Sequence, residues 1–140
     1  MIRKKRTEIL IKGSPEVSAK LAQEILTVHE VTTIEEPNNS LVMVKVRESA
    51  QRSLFYLGEV LITECKVMIK GILGIGMIKG HEPVLAYNLA IIDAAYNANL
   101  PETNEWANLL LSEEVKIKEA CEALNNKILK TKVNFATMDV

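Results

Sequence analysis

The sequence EVLITECKVMIKGILGIGMIK, residues 59–79, decides the predicted fold. Its first half alternates between apolar and polar residues, which is typical of a β-strand with one buried and one solvated face. The apolar face carries Leu61, Thr63, Cys65, Val67 and Ile69, and the opposite face includes Glu64, Lys66 and Lys70. Lys70-Gly71 predicts a turn, and residues 72–79 return as a second strand. The stretch therefore predicts an antiparallel hairpin.

Helix signals lie on both sides of this hairpin. Before it, Ser14 is a capping residue, Pro15 suits the first helical position and Glu16 suits the helix dipole. The segment that ends at Gly13 predicts an earlier helix, so the chain opens on a helical hairpin. After the strands, Pro83 begins a predicted helix over residues 84–98 that is rich in small apolar residues.

The remaining segments complete the predicted fold. Residues 41–46 read as another strand, and the chain from residue 103 onward is helical almost throughout, with Ser112 as the cap of a second segment there. Strands joined by hairpins form antiparallel sheets. The order predicts a single α+β domain over residues 1–140, in which helices pack on one face of an antiparallel sheet. An N-terminal helical hairpin and a helical C-terminal third flank the sheet.

The bulk composition excludes several classes of partner. The 140 residues are 48% hydrophobic with a net charge of −1, so we predict neither a nucleic acid nor a membrane as a partner. No run reaches the roughly 18 apolar residues of a membrane-spanning helix. Cys65 and Cys121 are far apart, which favours two reduced thiols in a cytoplasmic protein. The basic start, Arg3 to Arg6, is predicted to be solvated.

The glycines between 71 and 80 raise the question of a phosphate-binding loop. Their spacing is Gly74-x-Gly76-x-x-x-Gly80, whereas a dinucleotide fingerprint needs G-x-G-x-x-G opening directly into a helix. The acid that would bind a ribose has no counterpart, since Asp93 falls inside a helix. A P-loop fails too, because no Gly-Lys-Ser/Thr follows. The glycines therefore indicate a strand with a bulge, a bend or a close backbone approach.

Candidate catalytic residues are few. His29 follows a helix and is predicted to be solvated, and the pair His81-Glu82 supplies too few ligands for a metal site. The adjacent acids at 35–36 and 113–114 point in different directions. We therefore predict no catalytic, metal-binding or cofactor-binding residue, no cofactor and no enzyme activity from the isolated chain.

Three segments resemble a known family. They are ILIKGSPEVSAKL at residues 9–21, FYLGEVLITECKVMIKGILGIGMIKGHEPVLAYNLAIIDAAY at 55–96 and VNFATM at 133–138. Their order and spacing are similar to those of the phosphonate metabolism protein PhnG, a subunit of the bacterial carbon–phosphorus lyase complex. The best-matching positions are Gly58, Glu59, Gly71, Leu73, Gly74, Gly80, Ala86, Ile92, Asp93, Ala94 and 133–138. Leu85 and Tyr87 depart from it, because they stand where family members tend to carry charged or polar residues.

The resemblance implies a non-catalytic accessory role in a cytoplasmic, multi-subunit transferase. The family acts with partners of the PhnI, PhnH, PhnJ and PhnL types in organic phosphonate utilisation. With its partners it displaces the purine of ATP by a phosphonate, which gives α-D-ribose 1-phosphonate 5-triphosphate. Two alternatives stay open. One is a domain that binds a nucleotide or phosphonate beside the glycine strand, and the other is a purely structural homo-oligomer.

An accessory subunit needs a partner surface, and two segments are candidates for it. Glycines let another backbone approach closely, and apolar residues on both faces of a strand or at a terminus favour an interaction site. The predicted interface comprises Gly74, Ile75, Gly76, Met77, Ile78, Lys79, Gly80, Phe135 and Met138. The competing interpretation is that both segments pack on the core of the same chain.

Overall fold

The computed structural model describes residues 2–138, and the side chains of residues 2–131. It contains four helices and three strands within that range. In chain order they are α1 (Arg3–Lys12), α2 (Pro15–Val28), β1 (Thr32–Arg47), β2 (Leu54–Ile69), β3 (Ile72–Lys79), α3 (Pro83–Asn97) and α4 (Glu102–Met138). The helical hairpin, the sheet and the helical C-terminal third confirm the predicted α+β class.

The sheet has the strand order β1-β2-β3, and both pairs are antiparallel. Strands β2 and β3 pair from Ile62 opposite Lys79 to Ile69 opposite Ile72. Lys70 and Gly71 connect them with φ values of 51° and 77°, which suit a tight hairpin turn. The predicted antiparallel hairpin is therefore confirmed.

Two strands are longer than the sequence predicted. Strand β1 begins at Thr32 rather than at residue 41, and β2 begins at Leu54 rather than at residue 59. Pro37 and the polar residues around it look like a loop, but register shifts between Thr33 and Asn38 accommodate them on an edge strand. The apolar start of β2 lacks alternation because both of its faces are exposed there.

The core lies between one face of the sheet and α3. Cys65, Val67 and Ile69 of β2 are fully buried on that face. Helix α3 contributes buried residues all around its circumference, since the sheet covers one side of it and α2 packs on another. The buried positions of α3 are Ala86, Asn88, Leu89, Ala90, Ile91, Ile92, Asp93, Ala94 and Ala95.

Helix α2 begins at the predicted cap, whereas α1 buries one residue that was predicted to be solvated. Ser14 caps α2 by accepting a hydrogen bond at Oγ from the N–H of Glu16, at 3.3 Å. The basic start was predicted to be solvated, and this is wrong for Arg6, whose exposed fraction is 5%. The Arg6 guanidinium can be buried because it forms an ion pair with the buried carboxylate of Asp93 on α3.

Helix α4 is continuous from Glu102 to Met138, so the predicted cap at Ser112 is wrong. Ser112 lies within the helix, where Glu113 and Glu114 continue the helical backbone. In the part of α4 with described side chains, the last buried residue is Glu113. The helix therefore extends well past the body of the protein.

Candidate interaction surface

A buried charge cluster fixes the position of β3 against the helices. The Asp93 carboxylate on α3 accepts hydrogen bonds from Arg3 at 2.7 Å, from Arg6 at 3.0 Å and from the backbone N–H of Ile75 at 3.0 Å. Next to it, the Asn97 amide donates to the backbone oxygen of Leu73 at 3.0 Å. One carboxylate thus joins α1, α3 and β3.

Arg6 is held in this cluster by a second contact. Its guanidinium lies 3.9 Å above the centre of the Tyr96 ring, a cation–π geometry. Burial lowers the pKa of Arg6, and the charge of Asp93 opposes that shift. The guanidinium is therefore desolvated and depends on Asp93 for its stability in this position.

The two central glycines of β3 lie against α3. A Cβ on Gly74 would overlap backbone atoms of Ala90 and Ala94, and a Cβ on Gly76 would overlap the backbone oxygen of Ala86. The close backbone approach predicted for the glycine strand is present, and the approaching backbone belongs to α3 of the same chain. The space that a side chain at either glycine would fill is therefore occupied by α3.

The other positions of the predicted β3 interface differ in exposure. Ile78 is buried and Ile75 is half-buried, whereas Met77 and Lys79 are exposed. Gly80 forms a turn with a φ of 89°, and its N–H donates to Leu61. The exposed part of this predicted set is thus the end of β3. Phe135 and Met138 lie outside the residues whose side chains are described.

The free edge of β3 is capped only in its first half. Ile75 N–H and Leu73 O are satisfied by α3, which shows that odd-numbered residues turn their backbone groups away from β2. By the same alternation Met77 presents its N–H and C=O outward, and no described residue bonds to them. This half of the edge can accept the backbone of another chain.

An exposed two-stranded arm is the largest feature that the sequence did not predict. Strand β3 pairs with β2 only from Ile62 onward, so residues 41–47 and 54–61 form a ribbon beyond it. We call residues 41–61 the arm. Its exposed large apolar side chains are Leu41, Val42, Met43, Val46, Leu54, Phe55, Tyr56, Leu57 and Leu61. The unalternated run at residues 54–57 was the available signal, because it places apolar side chains on both faces.

The histidines form isolated polar contacts. His29 was predicted to be solvated, but its side chain is 12% exposed and its Nε2 lies 2.8 Å from Glu102 Oε1. The pKa of Glu102 is lowered by its own backbone N–H at the start of α4 and by the hydrogen bond to His29. His81 contacts Asn39 at 2.9 Å. Among the described residues, no group of three His, Cys, Asp or Glu could hold a metal ion.

A groove between the N-terminal ends of α2 and α3 is one of several grooves on the described surface. It has a volume of about 480 Å³, and its lining includes Pro15, Glu16, Glu82, Pro83 and Asn88. Two acids and no cation line it. An anionic phosphonate or nucleotide would be repelled by these carboxylates, so the groove does not favour the small-molecule alternative.

The described helices include none that is both long enough and apolar enough to cross a membrane. The fold and surface define an α+β protein with an apolar arm, a half-open sheet edge and a long protruding helix.

The family model of the phosphonate metabolism protein PhnG matches residues 1–139. The chain therefore belongs to the PhnG family, which places it in phosphonate metabolism. A search of curated proteins found no match.

Proposed function

We propose that this chain is a non-catalytic accessory subunit of the carbon–phosphorus lyase system. In this role it assists the formation of α-D-ribose 1-phosphonate 5-triphosphate from ATP and a phosphonate. Partner subunits of the PhnI, PhnH, PhnJ and PhnL types supply the reactive groups. Family membership supports the pathway, and the surface of the chain supports the accessory role.

The observation that carries this proposal is the exposed apolar arm. Leu54 is 60% exposed and Leu57 is 63% exposed on a ribbon of only two strands. A two-stranded hairpin is marginal in water on its own, and a contiguous apolar patch usually marks an interaction site. Packing of the arm on a partner would bury these side chains and hold the ribbon in one conformation.

The partner surface extends from the arm to the open end of β3. Met77 is 45% exposed and presents free backbone groups at the sheet edge. Earlier in β3, Asp93 and Asn97 bond the outward backbone groups of Ile75 and Leu73. A partner strand could add beside residues 77–79 without disturbing the charge cluster. The predicted interface residues Gly74 and Gly76 act indirectly, since they seat β3 on α3.

Co-expression with the PhnI-type, PhnH-type and PhnJ-type subunits tests the proposal. The wild-type chain should co-purify with them, and Met77→Asp should weaken the complex without changing the unfolding transition of the isolated chain. Gly74→Val is the fold control, because it should damage the packing of β3 on α3. Recovery of the wild-type chain alone and monodisperse beside these partners would contradict the accessory role.

Two further measurements separate the alternatives. A thermal-shift screen with ATP, adenine and methylphosphonate should leave the melting temperature of the isolated chain nearly unchanged, whereas a ligand-binding domain would be stabilised. Sedimentation across a concentration series tests the structural homo-oligomer. A stable oligomer that never takes up the other subunits would favour that alternative.

A further inference from the structure

The face of α4 that packs on the body continues along the protruding part of the helix. Trp106, Leu110 and Glu113 are buried, and Ile117 packs against the core at their side. The same spacing of three or four residues leads on to Cys121, Leu124 and Ile128. We call these last three residues the α4 stripe. Leu124 is 59% exposed, Ile128 is 56% exposed and Cys121 is exposed in a groove beside α1, so the stripe is open to solvent.

The spacing of the stripe is that of a helix–helix seam. Steps of four, three and four residues from Ile117 to Ile128 follow the heptad pattern in which apolar side chains face a second helix. A single helix without tertiary packing is marginal in water. The protruding part of α4 therefore has an apolar stripe with the spacing that a second helix could cover.

The charges beside the stripe indicate which helix fits. Lys118 and Asn125 lie along one side of it, and Ala120 and Lys127 along the other. These four flanking positions carry no acid. Lys118 has one contact, 3.5 Å to Glu114, and Lys127 makes no ion pair with any described residue. In a seam, such flanking positions face those of the partner helix and select it by charge.

A second copy of this chain is a poor occupant for the same reason. In either orientation, pairing of two α4 helices would place flanking lysines against lysines or neutral residues, with no attraction between opposite charges. A helix with Asp or Glu beside its apolar residues would instead pair with Lys118 and Lys127. Charge complementarity thus distinguishes the two occupants.

We propose that the α4 stripe binds an amphipathic helix of a partner subunit, one whose apolar stripe is flanked by acidic residues. This inference rests on the proposed function and adds the surface and the chemistry of the partner. It gives α4 a role separate from that of the arm, because the two features are different elements with different chemistry.

Cys121 is a reporter within the stripe. It is exposed in the isolated chain, whereas Cys65 is buried and its burial raises the pKa of the thiol to about 11. Iodoacetamide should therefore modify Cys121 and leave Cys65 unmodified at neutral pH. The experiment compares the alkylation rate of Cys121, followed by mass spectrometry, in the isolated chain and in the co-expressed complex at the same pH. We expect at least about tenfold slower alkylation in the complex, because a covered thiol is inaccessible.

A matched pair of variants tests which side of α4 the partner helix covers. Ile128→Asp should restore fast alkylation of Cys121 in the complex, whereas Leu129→Asp should not. The two side chains are almost equally exposed, at 56% and 58%, but only Ile128 lies on the stripe.

Lys127→Glu should also restore fast alkylation, with Lys130→Glu as its control. A zero-length carbodiimide cross-linker should join Lys118 or Lys127 to an Asp or Glu of a partner subunit.

The possible results separate this inference from the proposed function. A complex that forms while Cys121 reacts at the rate of the isolated chain overturns the α4 inference alone. Protection of Cys121 that depends on the concentration of the isolated chain would identify a second copy as the occupant, and would also overturn it. Failure to form any complex overturns both proposals.

Discussion

Gly76 lies where β3 passes closest to α3, and its missing side chain sets the spacing of the two elements. A Cβ at this position would overlap the backbone of Ala86 and Ala90. Backbone atoms cannot rotate away as the end of a flexible side chain can, so the strand and helix would have to separate. The reason for this glycine is therefore packing within the chain.

Gly76→Ala should lower the free energy of unfolding by about 3 kcal/mol, because overpacking forces the backbone to shift. Urea denaturation of the isolated chain measures the change. Gly58→Ala is the matched control, since a Cβ there meets no atom within 4 Å. It should be neutral, or stabilising by about 0.5 kcal/mol through a smaller entropy loss on folding. Equal losses in the two variants would contradict the packing explanation.

Among the described residues, Asp93 is the only carboxylate that forms an ion pair with Arg6. The side chains of Asp93 and Arg6 are 7% and 6% exposed. Removing one partner of a buried pair leaves the other charge without compensation, which costs more than the pair itself contributes.

Asp93→Asn should therefore destabilise the chain by about 3 kcal/mol. The control is Glu8→Gln, which breaks the exposed pair between Glu8 and Lys12 and should leave the unfolding midpoint nearly unchanged, because solvent screens an exposed pair. The midpoint of urea unfolding reports both. If Asp93→Asn unfolds with the wild-type midpoint, the cluster does not support the fold.

At the scale of the element, the arm contrasts with the rest of the sheet. From Ile62 onward β2 has a neighbour on each side and α3 on one face. Before Ile62 it has only β1. Exposed apolar residues that add little to the stability of the isolated chain can still stabilise a complex, because only the complex buries them.

Leu57→Glu should leave the unfolding midpoint of the isolated chain within about 0.5 kcal/mol of the wild type, as expected for an exposed position. The same change should weaken co-purification with the partner subunits, since a carboxylate would be buried at the interface. Val28→Glu on α2 is the matched control, because Val28 is 64% exposed and lies outside the arm. Retention of the complex by the Leu57 variant would remove the arm from the interface.

At the scale of the whole molecule, stability is expected to be unevenly distributed. The buried residues of β2, β3 and α3 form one core with α1, α2 and the start of α4. The arm and the protruding part of α4 extend from this core with largely exposed side chains. Segments with few buried contacts open locally at a low free energy.

Hydrogen exchange on the isolated chain should show slow amides in residues 62–69 and in α3. Fast amides are expected in the arm and in α4 beyond residue 121. In the complex, both fast segments should become protected as partners cover them. Fast exchange that persists in the arm of an intact complex would contradict burial there, and the core amides serve as the internal control.

The sequence by itself determined the hairpin at 59–79, the start of α2 at Ser14 and the α+β class. These features depend on local signals, namely period-two alternation, turn residues and capping. It also carried the resemblance to PhnG through ordered motifs. The tertiary structure alone decided that Gly74 and Gly76 face their own helix, because the strand pattern does not say which backbone approaches.

Only the tertiary structure brought together groups that are distant along the chain. Arg6 and Asp93 are 87 positions apart, and His29 and Glu102 are 73 apart. Each residue alone looks like an ordinary solvated polar group. The sequence did not predict the arm for a related reason. Whether an apolar strand is buried depends on its neighbours in the sheet, and β3 ends where the arm begins. Local pattern determined the hairpin and the start of α2, and long-range packing decided how far the strands extend and which surfaces stay uncovered.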